Sequence, residues 1–273
     1  FTRALYSTRS SHLASGQYHL MLRLASVGSG SKGNATLIAS MTTTILVDCG
    51  FTVKELIARL ESLAISVDQI DAILVTHEHG DHIAGVSTVS RAARAPVYST
   101  HGTLQSGRLE NSFSITEIAS DSVFAVGDIE INAITVPHDA REPVQFRFQS
   151  DSGSIGVLTD LGSITPHVCR GFSDCELLLL EFNHDLERLR QGPYPASLKR
   201  RVSGDYGHLN NQQAMTLLEQ LSERPPKVVV AGHISEQNNS VEQVANLLEG
   251  WAEPLGSQVV YASQTDGFGW LSA

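Results

Sequence analysis

Residues 77–82 read His77-Glu78-His79-Gly80-Asp81-His82. Four of these side chains, His77, His79, Asp81 and His82, are candidate metal ligands in one short stretch, just past the apolar run 72–76. Imidazole and carboxylate are the usual ligands of Zn²⁺, and they also suit Mn²⁺ or Fe²⁺. A loop leaving a strand fans alternate side chains apart. His77 and His79 can then grip one ion while Asp81 and His82 grip a second. A solvated loop rich in histidine is the bland alternative, and this density of ligand types argues against it.

Two-ion chemistry needs further ligands, and other strand ends should supply them. His138 follows a β-type run at 129–136, Asp160 ends one at 154–159, and His233 follows the apolar run 228–231. Taken singly, such a residue is more often a turn residue. Together with 77–82 they complete two ligand sets. One is His77, His79 and His138; the other is Asp81, His82 and His233; Asp160 can bridge. A bridging carboxylate holds two cations about 4 Å apart, the spacing that clamps both oxygens of an in-line displacement.

The elements that must position these groups alternate along the chain. Strands are expected at 34–40, 43–48, 72–76, 129–136, 144–148, 154–159, 177–182 and 228–231. Helical spacing is found at 53–63, up to residue 94, at 212–221 and at 241–248. This alternation predicts sheets covered by helices in one domain over 21–273. Residues 1–20 hold Arg3 and Arg9 but no acid and no amphipathic period. They read as a non-core leader upstream of a start at Met21, rather than a transit peptide, and they lack an apolar secretory region.

The chain has 273 residues, 41% hydrophobic and 18% charged, which is globular composition. Nineteen Lys and Arg against 29 Asp and Glu give a net charge of −10. That excludes broad adhesion to nucleic acid, which needs clustered cations, but not a local basic groove. No apolar run reaches the roughly 20 residues of a membrane helix, so no membrane partner is expected. Three cysteines, without a CxxC pair, point to a reducing, cytoplasmic setting. Gly28, Gly30 and Gly33 satisfy G-x-G-x-x-G, but a β-rich run follows where a dinucleotide fold needs a helix. A tight turn and a backbone contact to phosphate, helped by Lys32 and Asn34, remain as readings.

The pattern His-x-His-x-Asp-His followed by a later His, Asp and His resembles the metallo-β-lactamase superfamily, from about residue 21 to the end of the chain. Finer strings are similar to the bacterial YycJ/WalJ family: Gly28 to Asn34, Thr76 to His82, Val136 to Pro143, Leu158 to Gly162, Glu181 to Asp185 and Gly207 to Asn211. The resemblance implies an α/β fold, an αββα sandwich of two mixed sheets flanked by helices. It implies two divalent ions, Zn²⁺ or Mn²⁺, at one edge between the sheets. It implies that Asp48 supports the ligand loop from behind, with His184 also behind the ligands. In ribonuclease Z-like relatives, a Glu after an apolar strand orients a His that protonates the leaving oxygen; Glu181 and His208 match in type and order, although His208 as a helix cap stays open.

The function so implied is a 5′→3′ exonuclease acting on DNA before RNA. Hydroxide formed at the cations, with Asp81 among their ligands, would attack phosphorus in line. A small-molecule metallohydrolase of phosphodiesters, thioesters or lactones is the alternative, and a homo-oligomer stays open. Asp160 and His233 lie too close in sequence for the inserted domain of β-CASP nucleases, and the tRNA-gripping arm of ribonuclease Z is not evident. A substrate surface must then come from short loops. Arg188, Arg190, Lys199, Arg200 and Arg201 form the one basic concentration, and Arg200 and Arg201 are its candidate substrate contacts; a merely solvated face is the alternative.

Overall fold

The computed structural model describes residues 22–221 and 223–273. The leader 1–20 and the start at Met21 lie outside the described residues. The strands run, in chain order, β1 (Arg23–Gly28), β2 (Ala35–Ala39), β3 (Thr44–Val47), β4 (Ala72–Leu74), β5 (Pro96–Thr100), β6 (Ser114–Ile118), β7 (Val123–Val126), β8 (Ile129–Thr135), β9 (Val144–Ser150), β10 (Gly153–Leu158), β11 (Leu177–Glu181), β12 (Val228–Gly232), β13 (Gln258–Tyr261) and β14 (Phe268–Ser272). They form two seven-stranded sheets, β14-β1-β2-β3-β4-β5-β6 and β13-β12-β11-β10-β9-β8-β7. The last strand thus returns to pair antiparallel with the first.

Period-two burial explains the layering. Along β11, Leu177 and Leu179 join the core between the sheets, while Leu178 and Leu180 join the core under the helices. In β12, Val228 and Val230 face the first core, and Val229 and Ala231 the second. A strand buried on both faces reads as a continuous apolar run, as these two do. Helices Val53–Leu60 and Val86–Ala93 cover the first sheet through Leu56, Leu60, Val86 and Val89. Helices Pro166–Phe172, Asn211–Gln220 and Val241–Leu255 cover the second through Phe172, Leu217, Leu218, Val244 and Leu248. The expected αββα sandwich is therefore the architecture found. Among the described residues, no helix is long and apolar enough to cross a membrane.

Several expected elements differ in their bounds: the helical stretch up to residue 94 is two helices, Gly80–Ile83 and Val86–Ala93, and two other helices differ by several residues. The helix expected over 53–63 changes to a tighter 3₁₀ turn at Glu61–Leu63, closed by Ala64 in the left-handed conformation. The helix expected over 241–248 continues to Leu255, with Pro254 tolerated in its last turn.

The sheets matter most at one edge. β3 and β4 run parallel, as do β10, β11 and β12. Their C-terminal ends deliver Asp48, His77, Asp160, Glu181 and His233. Three of these residues take positive φ: Asp48 at 59°, Asp160 at 56° and His233 at 52°. This region is uncommon for residues other than glycine, though Asp and His are enriched in it. It turns the chain sharply at the strand end, so the side chain departs from the pleat.

Phe146 is fully buried between the sheets. Phe146→Ala should lower unfolding stability by about 3–5 kcal/mol in urea titration. Met41→Ala, at a site 64% exposed, should change it by less than about 0.5 kcal/mol.

Candidate metal centre

His77 Nε2 lies 3.0 Å from His79 Nδ1, and His138 Nε2 lies 3.2 Å from the same atom. The protons of two of these rings can be placed by their outer partners. His138 Nδ1 is 3.0 Å from the Gly207 carbonyl oxygen, which can only accept. Thr76 Oγ1 donates to Asp48 Oδ2 at 2.8 Å, so at 2.9 Å it accepts from His77 Nδ1. Both Nδ1 atoms therefore carry hydrogen, and both Nε2 lone pairs face His79. Two imidazole lone pairs thus converge on His79 Nδ1, whose single hydrogen could satisfy only one of them. Nitrogens bonded at 2.0–2.1 Å to one tetrahedral ion sit about 3.3 Å apart, close to the 3.0 and 3.2 Å found here. Burial, then the neighbouring His82, holds His77 well below its ordinary pKa. Burial likewise lowers His138.

The second group is richer in acid. His82 Nδ1 donates to Asp48 Oδ2 at 2.8 Å, leaving Nε2 3.2 Å from Asp160 Oδ2 and 3.6 Å from Asp81 Oδ2. His233 Nδ1 donates to Glu181 Oε1 at 2.9 Å, leaving Nε2 3.6 Å from Asp160 Oδ1 and 3.9 Å from Asp81 Oδ2. The Asp160 Oδ2 and His233 Nε2 atoms are buried without a hydrogen-bond partner. Burial raises the Asp160 carboxyl, but His233 and His82 outweigh it and hold it well below the usual range. Burial likewise opposes charge on His233, yet Asp160, Asp81 and Glu181 push it up to about 10. Ligand-type atoms of His77, His79 and His138, of His77, His82 and Asp160, and of Asp81, His82 and His233 lie within 4.8 Å of one another. Orphaned buried atoms and converging lone pairs fit divalent cations.

Backbone contacts fix the loop that carries these ligands. The Asp81 carbonyl accepts from Asn34 N at 2.8 Å, and the His82 carbonyl from Cys49 N at 2.6 Å. Gly50 must be glycine, because a Cβ there would fall 2.2 Å from the Asp81 carbonyl oxygen. Asp48 accepts from Thr76 N at 2.9 Å as well as from His82, so one buried carboxylate aligns the loop and a ligand ring.

Glu181 does the same on the second sheet. Its Oε1 receives both His233 Nδ1 and, at 2.8 Å, His208 Nδ1. Its Oε2 accepts from Leu209 N at 3.0 Å. Burial would raise the Glu181 carboxyl, but His208 and His233 hold it down to about 2. His208 is raised in turn: Glu181 overcomes the effect of burial. Asn210, not His208, caps the helix Asn211–Gln220 by accepting from Gln213 N at 2.9 Å.

A cleft of about 370 Å³ opens over these groups, with His79, Asp81, Asp160, His208 and His233 in its lining. Of the candidate substrate contacts, Arg201 lines it, whereas Lys32, Asn34 and Arg200 do not. Lys32 is exposed and paired with Glu236 at 2.6 Å. Asn34 is buried beneath the ligand loop, its Oδ1 accepting from Gly30 N and its Nδ2 3.1 Å from His82 Nε2. Arg200 is exposed. His184 is buried with both ring nitrogens unpartnered, and burial lowers it to about 4. It belongs to none of the ligand groups.

One residue escaped the sequence reading. Asp139 receives the Arg201 guanidinium through both carboxylate oxygens, and its Oδ1 is 3.6 Å from His138 Nε2. An acid beside a ligand-type His, with a basic run elsewhere, was the available signal.

Asp48 touches no cleft atom yet orients His82. Asp48→Ala should weaken Zn²⁺ or Mn²⁺ binding about 10- to 100-fold, read as metal retained after dialysis against graded chelator. Unchanged retention would remove Asp48 from that role.

The comparisons with known proteins agree with this geometry. Residues 43–234 match the beta-lactamase superfamily domain. The chain is 34% identical over 230 residues to the exodeoxyribonuclease WalJ of Streptococcus pneumoniae, covering 81% of this chain and 84% of that protein. It is 31% identical over 227 residues to the exodeoxyribonuclease YycJ of Bacillus anthracis, covering 81% and 85%. The metallo-beta-lactamase fold protein YhfI of Bacillus subtilis superposes with a TM-score of 0.70 at 18% identity, over 93% of this chain and all of that one. The sheet order, the strand-end ligand groups and this similarity place the chain in the beta-lactamase superfamily, within the family of the WalJ and YycJ proteins.

Proposed function

We propose that the protein is a metal-dependent exonuclease that removes nucleotides from the 5′ end of DNA, with RNA as a poorer substrate, in the cytoplasm. His77, His79 and His138 would hold one divalent cation, Zn²⁺ or Mn²⁺. Asp81, His82 and His233 would hold a second, with Asp160 between them. Cations in such a site supply Lewis acidity, which polarises a phosphoryl oxygen and makes water acidic enough to act as a nucleophile near neutral pH.

The chain's own residues do the rest. With Nδ1 committed to Glu181, a protonated His208 keeps Nε2–H for the leaving oxygen of a diester in the cleft. Such acid catalysis contributes about a hundred- to ten-thousand-fold. Asp139 holds Arg201 by two hydrogen bonds, so the guanidinium is presented to a phosphate with little freedom to lose. The fully buried Glu181 fixes His208 and the ligand-type His233 through one oxygen, coupling acid to metal site. That shared contact is the observation that carries the reading, and the similarity to named exodeoxyribonucleases supports DNA as substrate.

The deciding assay offers metal-loaded protein end-labelled DNA, end-labelled RNA and bis-p-nitrophenyl phosphate. Mononucleotide release from DNA is expected; cleavage of the chromogenic diester alone would replace the nuclease with a small-molecule phosphodiesterase. His208→Ala should slow turnover about 10²- to 10⁴-fold with metal content retained. Asp81→Ala and His82→Ala should lose both turnover and metal. Loss of metal in the His208 variant would remove the general-acid role.

A further inference from the structure

The cleft has a wall that no step above uses. Tyr194, Leu198 and Val202 supply its apolar part, and Asn183, Ser235 and Asn238 supply amides and a hydroxyl. Leu198 and Val202 lie on the short helix Ala196–Val202. Tyr194 lies in the link between that helix and Leu186–Gln191, flanked by Pro193 and Pro195. A residue before proline is held extended, so the ring is carried on a link with few conformations to lose. Gly192 packs this link against the turn at 236–238: a Cβ there would lie 2.9 Å from Asn238 Oδ1. Asn238 is 1% exposed, and its Oδ1 has no hydrogen-bond partner. Its Nδ2 reaches only Ser235 Oγ, at 3.4 Å. Asn183 Nδ2 holds the carbonyl of His233 at 3.2 Å, which ties this wall to the ligand strand.

We propose that this wall is a subsite for a single nucleotide, with Tyr194 stacking on the base and Asn238 bracing the link that carries the ring. The proposal rests on the nuclease reading and names how that site engages a strand end. An aromatic ring accepts any base face, which suits an enzyme that must process every sequence. A volume of about 370 Å³ is at the small end of ligand sites and takes one nucleotide rather than a duplex. Phosphate contact then falls to the cation sites and Arg201, which line the same cleft.

The test is equilibrium binding to metal-loaded protein of dAMP, 2-deoxyribose 5-phosphate and inorganic phosphate, beside a labelled-DNA cleavage assay. The wild-type protein should bind dAMP about 5- to 150-fold more tightly than the base-free sugar phosphate, the range expected of base–aromatic stacking. Tyr194→Ala should erase that difference and leave inorganic phosphate binding unchanged. Tyr194→Phe, which keeps the ring, should preserve it. Equal binding of dAMP and the sugar phosphate by the wild-type protein, or an unchanged preference in Tyr194→Ala, would overturn the subsite. Protein that cuts DNA without the preference loses the subsite and keeps the nuclease. Protein that shows a Tyr194-dependent preference but cuts no DNA keeps the subsite and loses the nuclease.

Discussion

Two lone pairs held toward one imidazole nitrogen cannot both be satisfied by its single hydrogen, and this protein holds such a point at the end of its sandwich. Nε2 of His77, Nδ1 of His79 and Nε2 of His138 meet within 3.2 Å contacts, and outer partners hold the hydrogens of His77 and His138 on the far side of the ring. Water-exposed histidines would relieve this by turning away. Here His77 and His138 are buried at the end of a two-sheet sandwich and have nowhere to turn. A packed core of large side chains is stiff, so it can impose an arrangement that the side chains alone would reject. The sandwich supplies the restraint, and a cation between the lone pairs would supply the relief.

The two sheets solve the same problem in parallel. Asp48 at the end of β3 and Glu181 at the end of β11 each grip imidazole Nδ1–H groups and backbone N–H groups. Each therefore sets both the tautomer and the angle of the ring it holds, the usual task of groups behind a metal ligand. The acidic side, Asp81, Asp160, Glu181 and Asp48, must be balanced by protons on His82 and His233 or by bound cations. Burial opposes charge on His233, yet Asp160, Asp81 and Glu181 push it up to about 10, as expected of a corner rich in acid. Metal and proton thus compete for the same ring atoms.

The grouping of the candidate ligands was legible in the sequence because each ends a β run, and strand ends are readable from hydrophobic pattern. His77, His79, Asp81, His82, His138, Asp160 and His233 come together from four such ends without any spatial information. The substrate side was less legible because charge in a sequence does not reveal its partner. Lys32 looked free but meets Glu236, Arg190 meets Glu187, and Arg201 meets Asp139. Asn34 looked like a phosphate contact, yet its amide is spent under the ligand loop. Six strands, β1, β5, β6, β7, β13 and β14, fall where none was expected. β6, Ser-Ile-Thr-Glu-Ile, is exposed along most of its length, and β14 carries Gly269, so neither has the buried alternation that marks a strand.

These pairings sharpen what the net charge of −10 allows. Arg201 is matched by Asp139 and Lys32 by Glu236, so two of the cations expected to meet phosphate already carry an acidic partner. A cation so paired adds less long-range attraction for a polyanion. Attraction must then act at short range, between phosphate and the ligand-type cluster at the bottom of a cleft of about 370 Å³. On the proposed nuclease reading, a frayed end would bring its phosphate into such a space more readily than a duplex interior. Acidic surface and narrow cleft would then act in the same sense: the first removes the advantage of long tracts, and the second favours termini.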